Sequence, residues 1–430
     1  MRSTSRWAVL VMVAFGAAWV VGAAVASAAP LTAPKKGAPA AAAATDEWPC
    51  FHGPNRDARS PDTGLLKQWP ADGPPLVWKA DGVGKGFSSV TVSGGLVYTA
   101  GDVGERFVVS AFDSGGKPKF TIDHDAVWTK SSNLGARSTP TIDGDRLYIL
   151  SGAGLLGCYD SKTGAKKWAR HLAKELGGSP PRWGYAESVL IQGDLVLCVP
   201  GGAKAIVALN KMTGADAWAS SGFSAGAGYG GLLPFTFQGV PLLAAGTQDG
   251  LFCVDARSGA LAFSNEFCKG NTANCPTPAY ADGVVFWANG YGKGGIGLTL
   301  GAAGGKVTAA EAYTTKDMVC HHGGYIIDKG YVYGDNGSGV TCLELKTGKV
   351  LWKEKGVGKG SVLWVDGMLV LFSETGGKAA LATCSPEGMA LKGEFSVAGT
   401  GKSWAHPVVI GGRLYLRYDD HLYCFDVKAK

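Results

Sequence analysis

The chain has 430 residues, of which 18% are charged and 46% hydrophobic, with 66 glycines and a formal net charge of +6. This composition is typical of a globular, turn-rich protein, and no long amphipathic helical pattern follows the first thirty residues. The charge is spread without polybasic runs, so we expect no nucleic-acid partner. The length suggests two or three domains, although a repeat array can form one closed domain of this size.

The N-terminus predicts an exported protein, periplasmic or extracellular. In residues 1–28, Arg2 and Arg6 precede an apolar run, and Ala26-Ser27-Ala28 offers a signal-peptide cleavage site. An uncleaved anchor is the alternative, because about 20 apolar residues can span a bilayer. The small residues at the cleavage site favour removal, with no stable membrane insertion afterwards. Residues 29–45 are rich in Ala and Pro, cannot build a core, and are predicted to form a disordered linker.

An internal repeat dominates the rest of the chain. The segments from Cys158 to Trp168 and from Cys342 to Trp352 share the order Cys-x-acid-x-x-Thr-Gly-x-x-x-Trp, and weaker copies lie between and around them. The turn glycines recur every 40 to 50 residues, which is the length of a four-stranded propeller blade. We therefore predict an N-terminal arm over residues 46–74 and a β-propeller over residues 75–430.

Each repeat divides into four strands, A to D, with A nearest the axis. In the second copy, Asp143-Gly144 predicts the hairpin turn between A and B, and Thr163-Gly164 the turn between C and D. The same template predicts eight blades of four antiparallel strands. Their A strands are expected to begin near Ser88, Ser138, Glu187, Leu232, Thr277, Gly323, Ser361 and Ala405.

The last copy is incomplete in a way that predicts how the ring closes. Residues 408–427 end after strand C, with no Thr-Gly turn or outer aromatic residue. Residues 75–80 match strand D and have no A, B or C strand before them. Pairing this N-terminal strand with the C-terminal blade would leave no open sheet edge.

Ten cysteines are compatible with export, but most are expected to remain free. Four of them occupy the same repeat position, where other blades carry Ala, and are predicted to be small buried core residues: Cys158, Cys253, Cys342 and Cys424. Cys268 and Cys275 lie in one short loop and are the candidate disulfide. The chain has no Cys-x-x-Cys-His haem motif.

These repeats resemble those of the bacterial pyrroloquinoline-quinone-like (PQQ-like) β-propeller proteins over residues 48–430. The arm from Trp48 to Asp57 resembles the lead-in of exported members, many of which carry Arg where this chain has His52. The resemblance implies the propeller fold. It leaves function open, because the family includes quinoprotein alcohol dehydrogenases and also non-catalytic binders, such as the propeller lipoprotein of the outer-membrane β-barrel assembly machinery.

The candidate binding site is the face that bears the B–C loops and D–A connections, together with the axial funnel. Three D–A connections contain a Gly-Lys pair, and these pairs are expected to place Lys85, Lys359 and Lys402 around the axis. Further candidate cations in comparable loops are Arg137, Arg182 and the pair His321-His322. A ring of cations would concentrate anionic ligands. The alternative is that these residues belong to solvated, flexible connectors.

Aromatic residues and histidines complete the candidate set. Four aromatic residues could form a platform for a sugar or planar ring, although packing between blades is the simpler role: Trp183, Tyr185, Tyr229 and Trp404. His321, His322 and His406 lie at the mouths of A strands. No metal site is predicted, because adjacent histidines on a strand point to opposite faces and metals require three or four converging groups.

Two functions remain open at this point. The favoured one is an exported, non-catalytic and monomeric scaffold that binds a protein, a peptide or an anionic polysaccharide, with no cofactor. The alternative is a PQQ-dependent dehydrogenase, which would need Ca²⁺ and a carboxylate base. Glu187 is then the candidate cation ligand, and Trp183 or Trp404 the partner of the quinone ring. The vicinal disulfide that often caps the quinone in this family is absent from the sequence.

Overall fold

A computed structural model of the protein describes residues 46–130 and 132–430. The signal peptide and linker predicted for residues 1–45 lie outside these described residues. Among the residues that are described, no helix is both long enough and apolar enough to cross a membrane.

The first two strands precede the blades: β1 (Arg59–Ser60) and β2 (Leu76–Asp81). Blades 1 and 2 contain β3 (Thr91–Ser93), β4 (Leu96–Val103), β5 (Arg106–Asp113), β6 (Pro118–Ala126), β7 (Thr141–Asp143), β8 (Arg146–Leu150), β9 (Leu155–Asp160) and β10 (Lys166–His171). A single turn of helix, α1 (Leu172–Glu175), follows. Blades 3 and 4 contain β11 (Leu190–Gln192), β12 (Leu195–Cys198), β13 (Val207–Asn210), β14 (Asp216–Ala219), β15 (Leu233–Phe237), β16 (Val240–Thr247), β17 (Gly250–Asp255) and β18 (Leu261–Asn265).

The second half repeats this arrangement. Blades 5 and 6 contain β19 (Ala279–Ala281), β20 (Val284–Asn289), β21 (Gly294–Ala303), β22 (Lys306–Thr315), β23 (Tyr325–Asp328), β24 (Tyr331–Asp335), β25 (Val340–Glu344) and β26 (Val350–Glu354). Blades 7 and 8 contain β27 (Gly360–Val365), β28 (Met368–Ser373), β29 (Lys378–Ser385), β30 (Gly388–Ser396), β31 (Val408–Ile410), β32 (Arg413–Tyr418) and β33 (His421–Asp426). The predicted eight-bladed propeller of four-stranded antiparallel sheets is confirmed.

The ring closes through β2, as the incomplete last repeat predicted. This strand pairs antiparallel with β33, with Trp78 opposite Cys424. The Trp78 ring lies 6.2 Å from Phe112 of blade 1 and 6.1 Å from Tyr415 of blade 8. The same residue therefore completes the four strands of blade 8 and packs against blade 1, so β2 supplies the outer strand that the last repeat lacks.

In most copies the repeat position occupied by Cys or Ala lies opposite the outer aromatic residue; in blade 7 Ala382 lies opposite Leu391. Cys158 pairs with Trp168, Cys342 with Trp352, and Ala208 with Trp218. The four predicted core cysteines are all fully buried. A small side chain is needed here because the bulky ring of strand D covers it, so the core prediction for these cysteines is confirmed.

Serine and threonine side chains link neighbouring A strands around the axis. The Ser89 amide donates to Thr139 Oγ1 at 2.9 Å, and the Thr139 amide donates to Ser188 Oγ at 2.8 Å. Ser89 Oγ in turn donates to the His406 carbonyl of blade 8 at 2.6 Å. These bonds satisfy polar groups where the inner strands begin. The hydroxyl groups of Ser89, Thr139 and Ser188 therefore hold neighbouring blades together.

The N-terminal arm lies across the inner strands on the side of the A–B turns. Trp48 forms a bridge with Val92, and the Pro49 carbonyl accepts from the amide of Ile142. The Arg56 guanidinium donates to the Ser188 carbonyl at 2.7 Å, and β1 pairs in parallel with β27. The arm thus contacts the inner strands of blades on both sides of the ring and forms a floor under the axial funnel.

Candidate functional site

A cavity of about 200 Å³ lies at the axis, on the face of the D–A and B–C loops. The arm supplies its floor through Phe51, and seven blades supply its wall. The lining residues are Phe51, Phe87, Asn133, Arg137, Trp183, Ala186, Ser188, Tyr229, Gly230, Gly231, Ala273, Cys275, Tyr291, His321, His322, Trp404 and His406. Because the arm closes the opposite end, the funnel is blind.

The structure brings six of the eleven predicted ligand-binding residues into this lining: Arg137, Trp183, His321, His322, Trp404 and His406. Five others do not line it: Lys85, Arg182, Glu187, Lys359 and Lys402. Among these, the Arg182 guanidinium lies 5.0 Å from the centre of the Trp183 ring, and Lys359 Nζ lies 2.8 Å from His321 Nδ1.

Six Phe, Tyr and Trp rings line the cavity. Trp404 packs 4.4 Å from Phe87 between ring centres, and Trp183 lies 5.8 Å from Tyr229. Tyr291 is 52% exposed at the mouth. Of the four rings that the sequence suggested as a platform, Trp183, Tyr229 and Trp404 line the cavity and Tyr185 is buried outside it. Phe51, Phe87 and Tyr291, which were not singled out, also line it.

Arg137 is the one guanidinium in the described lining. It donates to the carbonyls of Gly135 and Asn133, and its charge lies 5.4 Å from the Phe87 ring centre. Burial lowers the pKa of Arg137 from its ordinary value, and the nearby Asp102 carboxylate partly offsets this. The group stays charged at neutral pH and presents a fixed cation beside aromatic rings.

Two of the three lysines that were expected to form a free cationic ring are held in ion pairs. Glu374, at the start of the loop after β28, accepts from Lys359 Nζ at 2.6 Å and from Lys402 Nζ at 2.7 Å. Burial opposes ionisation of Glu374, but the two ammonium groups outweigh burial and hold its pKa below the ordinary value. Lys85 is exposed and has no ion pair with another described residue. The cationic character of the rim is therefore smaller than three free lysines would supply.

The histidines at positions 321 and 322 correct one argument from the sequence. They lie in a bend before β23 rather than on a strand, so their rings do not point to opposite faces. The ring centres are 5.3 Å apart, and both rings line the cavity. Burial lowers the pKa of His321 to about 4, so the ring is neutral at physiological pH.

His406 connects the arm to blade 6 beneath the cavity. Its Nε2 lies 2.9 Å from the His322 carbonyl, and its Nδ1 lies 3.2 Å from His52 Nε2. Because a carbonyl only accepts, Nε2 of the neutral ring carries the proton and Nδ1 accepts from His52. Burial lowers the pKa of His406 to about 4. This residue is thus part of the contact that holds the floor in place.

Glu187 is buried beside the funnel and does not line it. Its Oε2 accepts from the Val199 amide at 2.8 Å, and burial raises its pKa to about 8. Because Glu187 does not line the cavity and one of its oxygens already accepts from a backbone amide, it does not present a carboxylate to the funnel as the role considered for it from the sequence requires.

Cys268 and Cys275 are free thiols in the structure. The side chain of Cys268 belongs to the core of blades 4 and 5, whereas Cys275 lines the axial cavity. The chain between them separates the two sulfur atoms into different environments. The disulfide expected from their proximity in sequence is therefore not formed in the structure.

Sequence reasoning missed Glu374 and the arm residues Phe51 and His52 as parts of the site. A single acidic residue at the end of a B strand carries no repeat signal, so Glu374 had no pattern to reveal it. The arm was visible as a Trp-Pro-Cys-Phe-His segment, but its path across the axis depends on long-range contacts with the inner strands.

Comparison with known proteins supports the architecture. The family model described as outer membrane protein assembly factor BamB matches residues 60–179 and 106–354, which together are more than half of the chain. No curated protein matches the sequence.

Solved structures show the same fold at low sequence identity. BamB from Moraxella catarrhalis is 16% identical, with a TM-score of 0.58, and the alignment covers 82% of this chain and 99% of that one. Quinohemoprotein alcohol dehydrogenase from Comamonas testosteroni is 13% identical, with a TM-score of 0.65 and coverage of 90% and 81%. An outer membrane protein assembly factor and an alcohol dehydrogenase thus share this fold, so the fold alone does not choose between their functions. By its repeats, its eight blades and the family match, the chain belongs to the PQQ-like propeller family described as outer membrane protein assembly factor BamB.

Proposed function

We propose that the protein is an exported, non-catalytic scaffold that binds an extended segment of a partner protein at the axial funnel. The observation that carries this proposal is a blind cavity that is lined by aromatic rings and by one half-buried guanidinium, that of Arg137. Export is supported by the N-terminal sequence pattern and by the outer-membrane description of the family.

The size of the cavity favours a peptide anchor. Pockets for small molecules and cofactors usually have volumes of about 300–1,000 Å³. A cavity of about 200 Å³ suits one or two side chains. Aromatic and Arg-rich pockets are where anchor residues of protein partners contribute most of the binding energy. The exposed mouth residues Tyr291 and Arg182 would then contact the flanking backbone.

A quinoprotein dehydrogenase is the second candidate, because such an enzyme shares the fold. The donor set of the funnel does not fit a quinone with Ca²⁺. No described lining residue carries a carboxylate, and Ca²⁺ takes six or more oxygen ligands. Glu374, which lies beside His321 and His322, is held by two lysines. The described lining residues therefore supply neither a calcium cradle nor a free carboxylate base.

The proposal is tested by selecting binders from a displayed random-peptide library and measuring their affinity by fluorescence anisotropy. Trp183→Ala removes an aromatic wall, and we expect the selected peptides to bind about 30-fold more weakly, as for a hot-spot residue. Met212→Ala, an exposed change on the opposite face, is the control and should leave affinity unchanged. Peptides that bind the Trp183 variant as tightly as the parent protein would contradict the funnel as the binding site.

Two further arms separate the alternatives. An anionic polysaccharide, polygalacturonate, is titrated at low and high salt; binding that weakens steeply with salt, in the absence of selected peptides, would favour a polysaccharide partner. The protein is also mixed with PQQ, Ca²⁺ and short alcohols. Reduction of an artificial dye acceptor in this mixture would replace the scaffold proposal with the dehydrogenase.

A further inference from the structure

Four of the seven histidines of this protein gather at the base and wall of the funnel, from three separate parts of the chain. His52 and His406 are paired with each other. His321 and His322 instead approach Glu374, and the ligand atoms of these three residues all lie within 4.8 Å of one another. We propose that His321, His322 and Glu374 form a binding site for a divalent transition metal such as Zn²⁺, independent of the partner-binding function proposed above.

His322 is the first reason. Its side chain is only 8% exposed, yet neither ring nitrogen has a hydrogen-bond partner among the described residues. A buried polar group without a partner is costly, and native proteins rarely tolerate one. Its Nε2 lies 3.6 Å from Glu374 Oε2, which is too long for a hydrogen bond. Two ligands about 2.0–2.2 Å from a tetrahedral zinc lie roughly 3.4 Å apart, so this spacing suits a shared metal.

The orientation of His321 is the second reason. Lys359 Nζ lies 2.8 Å from His321 Nδ1, and an ammonium group can only donate. Nδ1 of the neutral ring therefore presents its lone pair to the cluster, and Nε2 carries the proton toward the Tyr291 hydroxyl, 3.3 Å away. A metal-bound histidine commonly has its second nitrogen oriented in this way by an outer partner.

Lys359 marks where the cation would lie. Its Nζ is 2.8 Å from His321 Nδ1 and 2.6 Å from Glu374 Oε2, so lone pairs of two of the three ligands already converge on one positive charge. Lys359 also competes with a metal for that position. The Lys359 side chain is 28% exposed and Lys402 is 44% exposed, so both ammonium groups have access to solvent when a metal displaces them.

The ligand types define the metal class. Two imidazoles and one carboxylate suit Zn²⁺ and its first-row neighbours rather than Ca²⁺ or Mg²⁺, which prefer oxygen ligands. Since both histidines line the cavity, a fourth ligand would come from the cavity side.

The test is a titration of the full chain, purified without a polyhistidine tag, with Co²⁺ as a spectroscopic probe and Zn²⁺ as competitor. We expect one Co²⁺ per chain with visible d–d absorption that Zn²⁺ abolishes. His322→Ala and Glu374→Gln should each weaken binding by more than about tenfold, since even outer partners of metal ligands contribute that much. His421→Gln, at a histidine paired with Asp81 outside the cluster, is the control and should bind as the parent does.

Lys359→Met is expected to strengthen metal binding, which a variant that fails to fold would not do. Removing the competing ammonium should tighten Co²⁺ binding by about tenfold or more, and circular dichroism checks that each variant is folded. The proposal fails if the parent protein shows no d–d bands, or if the His322 variant, shown to be folded, binds Co²⁺ as tightly as the parent. It also fails if only the Lys359 variant binds, because Lys359 would then be the permanent cation of this cluster.

Discussion

The ring closure through β2 makes a quantitative prediction for Trp78→Ala. Trp78 is only 8% exposed, and its Nε1 donates to the Ser114 carbonyl at 3.0 Å. A buried aromatic ring covers about 150–250 Å², which corresponds to roughly 4–6 kcal/mol as an upper bound. Measured Trp→Ala changes in cores cost about 3–5 kcal/mol. We therefore expect the free energy of unfolding to fall by about 4 kcal/mol.

The assay is equilibrium unfolding in guanidinium chloride, followed by far-ultraviolet circular dichroism. Leu76→Ala lies on the same strand, but Leu76 is 54% exposed, so that change should cost less than about 1 kcal/mol. Trp352→Ala is the matched change in blade 6, whose four strands are consecutive in the chain. The two tryptophans are comparable because Trp352 Nε1 also donates to a backbone carbonyl, that of Ser385, at 2.9 Å. An equal slope with denaturant for all variants allows the midpoints to be compared as stability.

If Trp78→Ala changes stability no more than Leu76→Ala does, the reasoning is refuted. That result would mean that β2 does not carry the closure of the ring, and that blade 8 is held by its contacts with neighbouring blades alone. A Trp352 variant that is far more destabilised than the Trp78 variant would point the same way.

Three further predictions concern buried groups. Arg417 is 1% exposed and donates to oxygens of blade 1 and of the connection before it, so Arg417→Met should lower the free energy of unfolding by about 3–5 kcal/mol, measured as above. Gly116 has φ +82° and an added Cβ would lie 2.6 Å from the Trp78 ring; Gly116→Ala should destabilise by about 1–3 kcal/mol more than Gly305→Ala, where φ is +74° but the space is open. For Glu187, burial raises the pKa to about 8 from an ordinary 4.5. Stability should fall as pH rises from about 4.5 to about 8, since the unfolded carboxyl loses its proton first, and Glu187→Gln should abolish this fall in thermal melts at pH 5, 7 and 9.

Each of these predictions has a clear contrary result. A cost below about 1 kcal/mol for Arg417→Met would show that water replaces the lost donors. Equal costs for the two glycine variants would show that the backbone conformation matters and the ring contact does not. Parallel pH profiles for the Glu187 variant and the parent would show that this carboxyl titrates normally.

The fold was predictable because each blade is specified by local chemistry. In the Asp-x-x-Thr-Gly turn, Asp160 accepts from the amides of Lys162 and Thr163, and Gly164 takes φ +74°. Each outer Trp lies opposite a Cys or Ala on the neighbouring strand, where a small side chain packs beside the indole ring. These requirements recur with each repeat, so eight copies and one displaced strand could be recognised from residue order alone.

The candidate site was predictable only in part. Strand alternation predicted which loops share the face that bears the cavity, and six of the proposed residues line that cavity. Their partners were not identified. Glu374 forms ion pairs with two lysines that the sequence suggested were free, and two neighbouring histidines share one face because the chain bends before β23.

The sequence by itself determined the number of blades, the position of each turn, the core role of four cysteines and the strand that closes the ring. It could do so because those features depend on residues close to one another or on a regular period. The tertiary structure alone decided that the arm closes one end of the funnel, that Cys268 and Cys275 point into different surroundings, and that His321, His322 and Glu374 converge. These features arise from contacts between residues as far apart as the arm and blade 8, and no local pattern encodes such contacts.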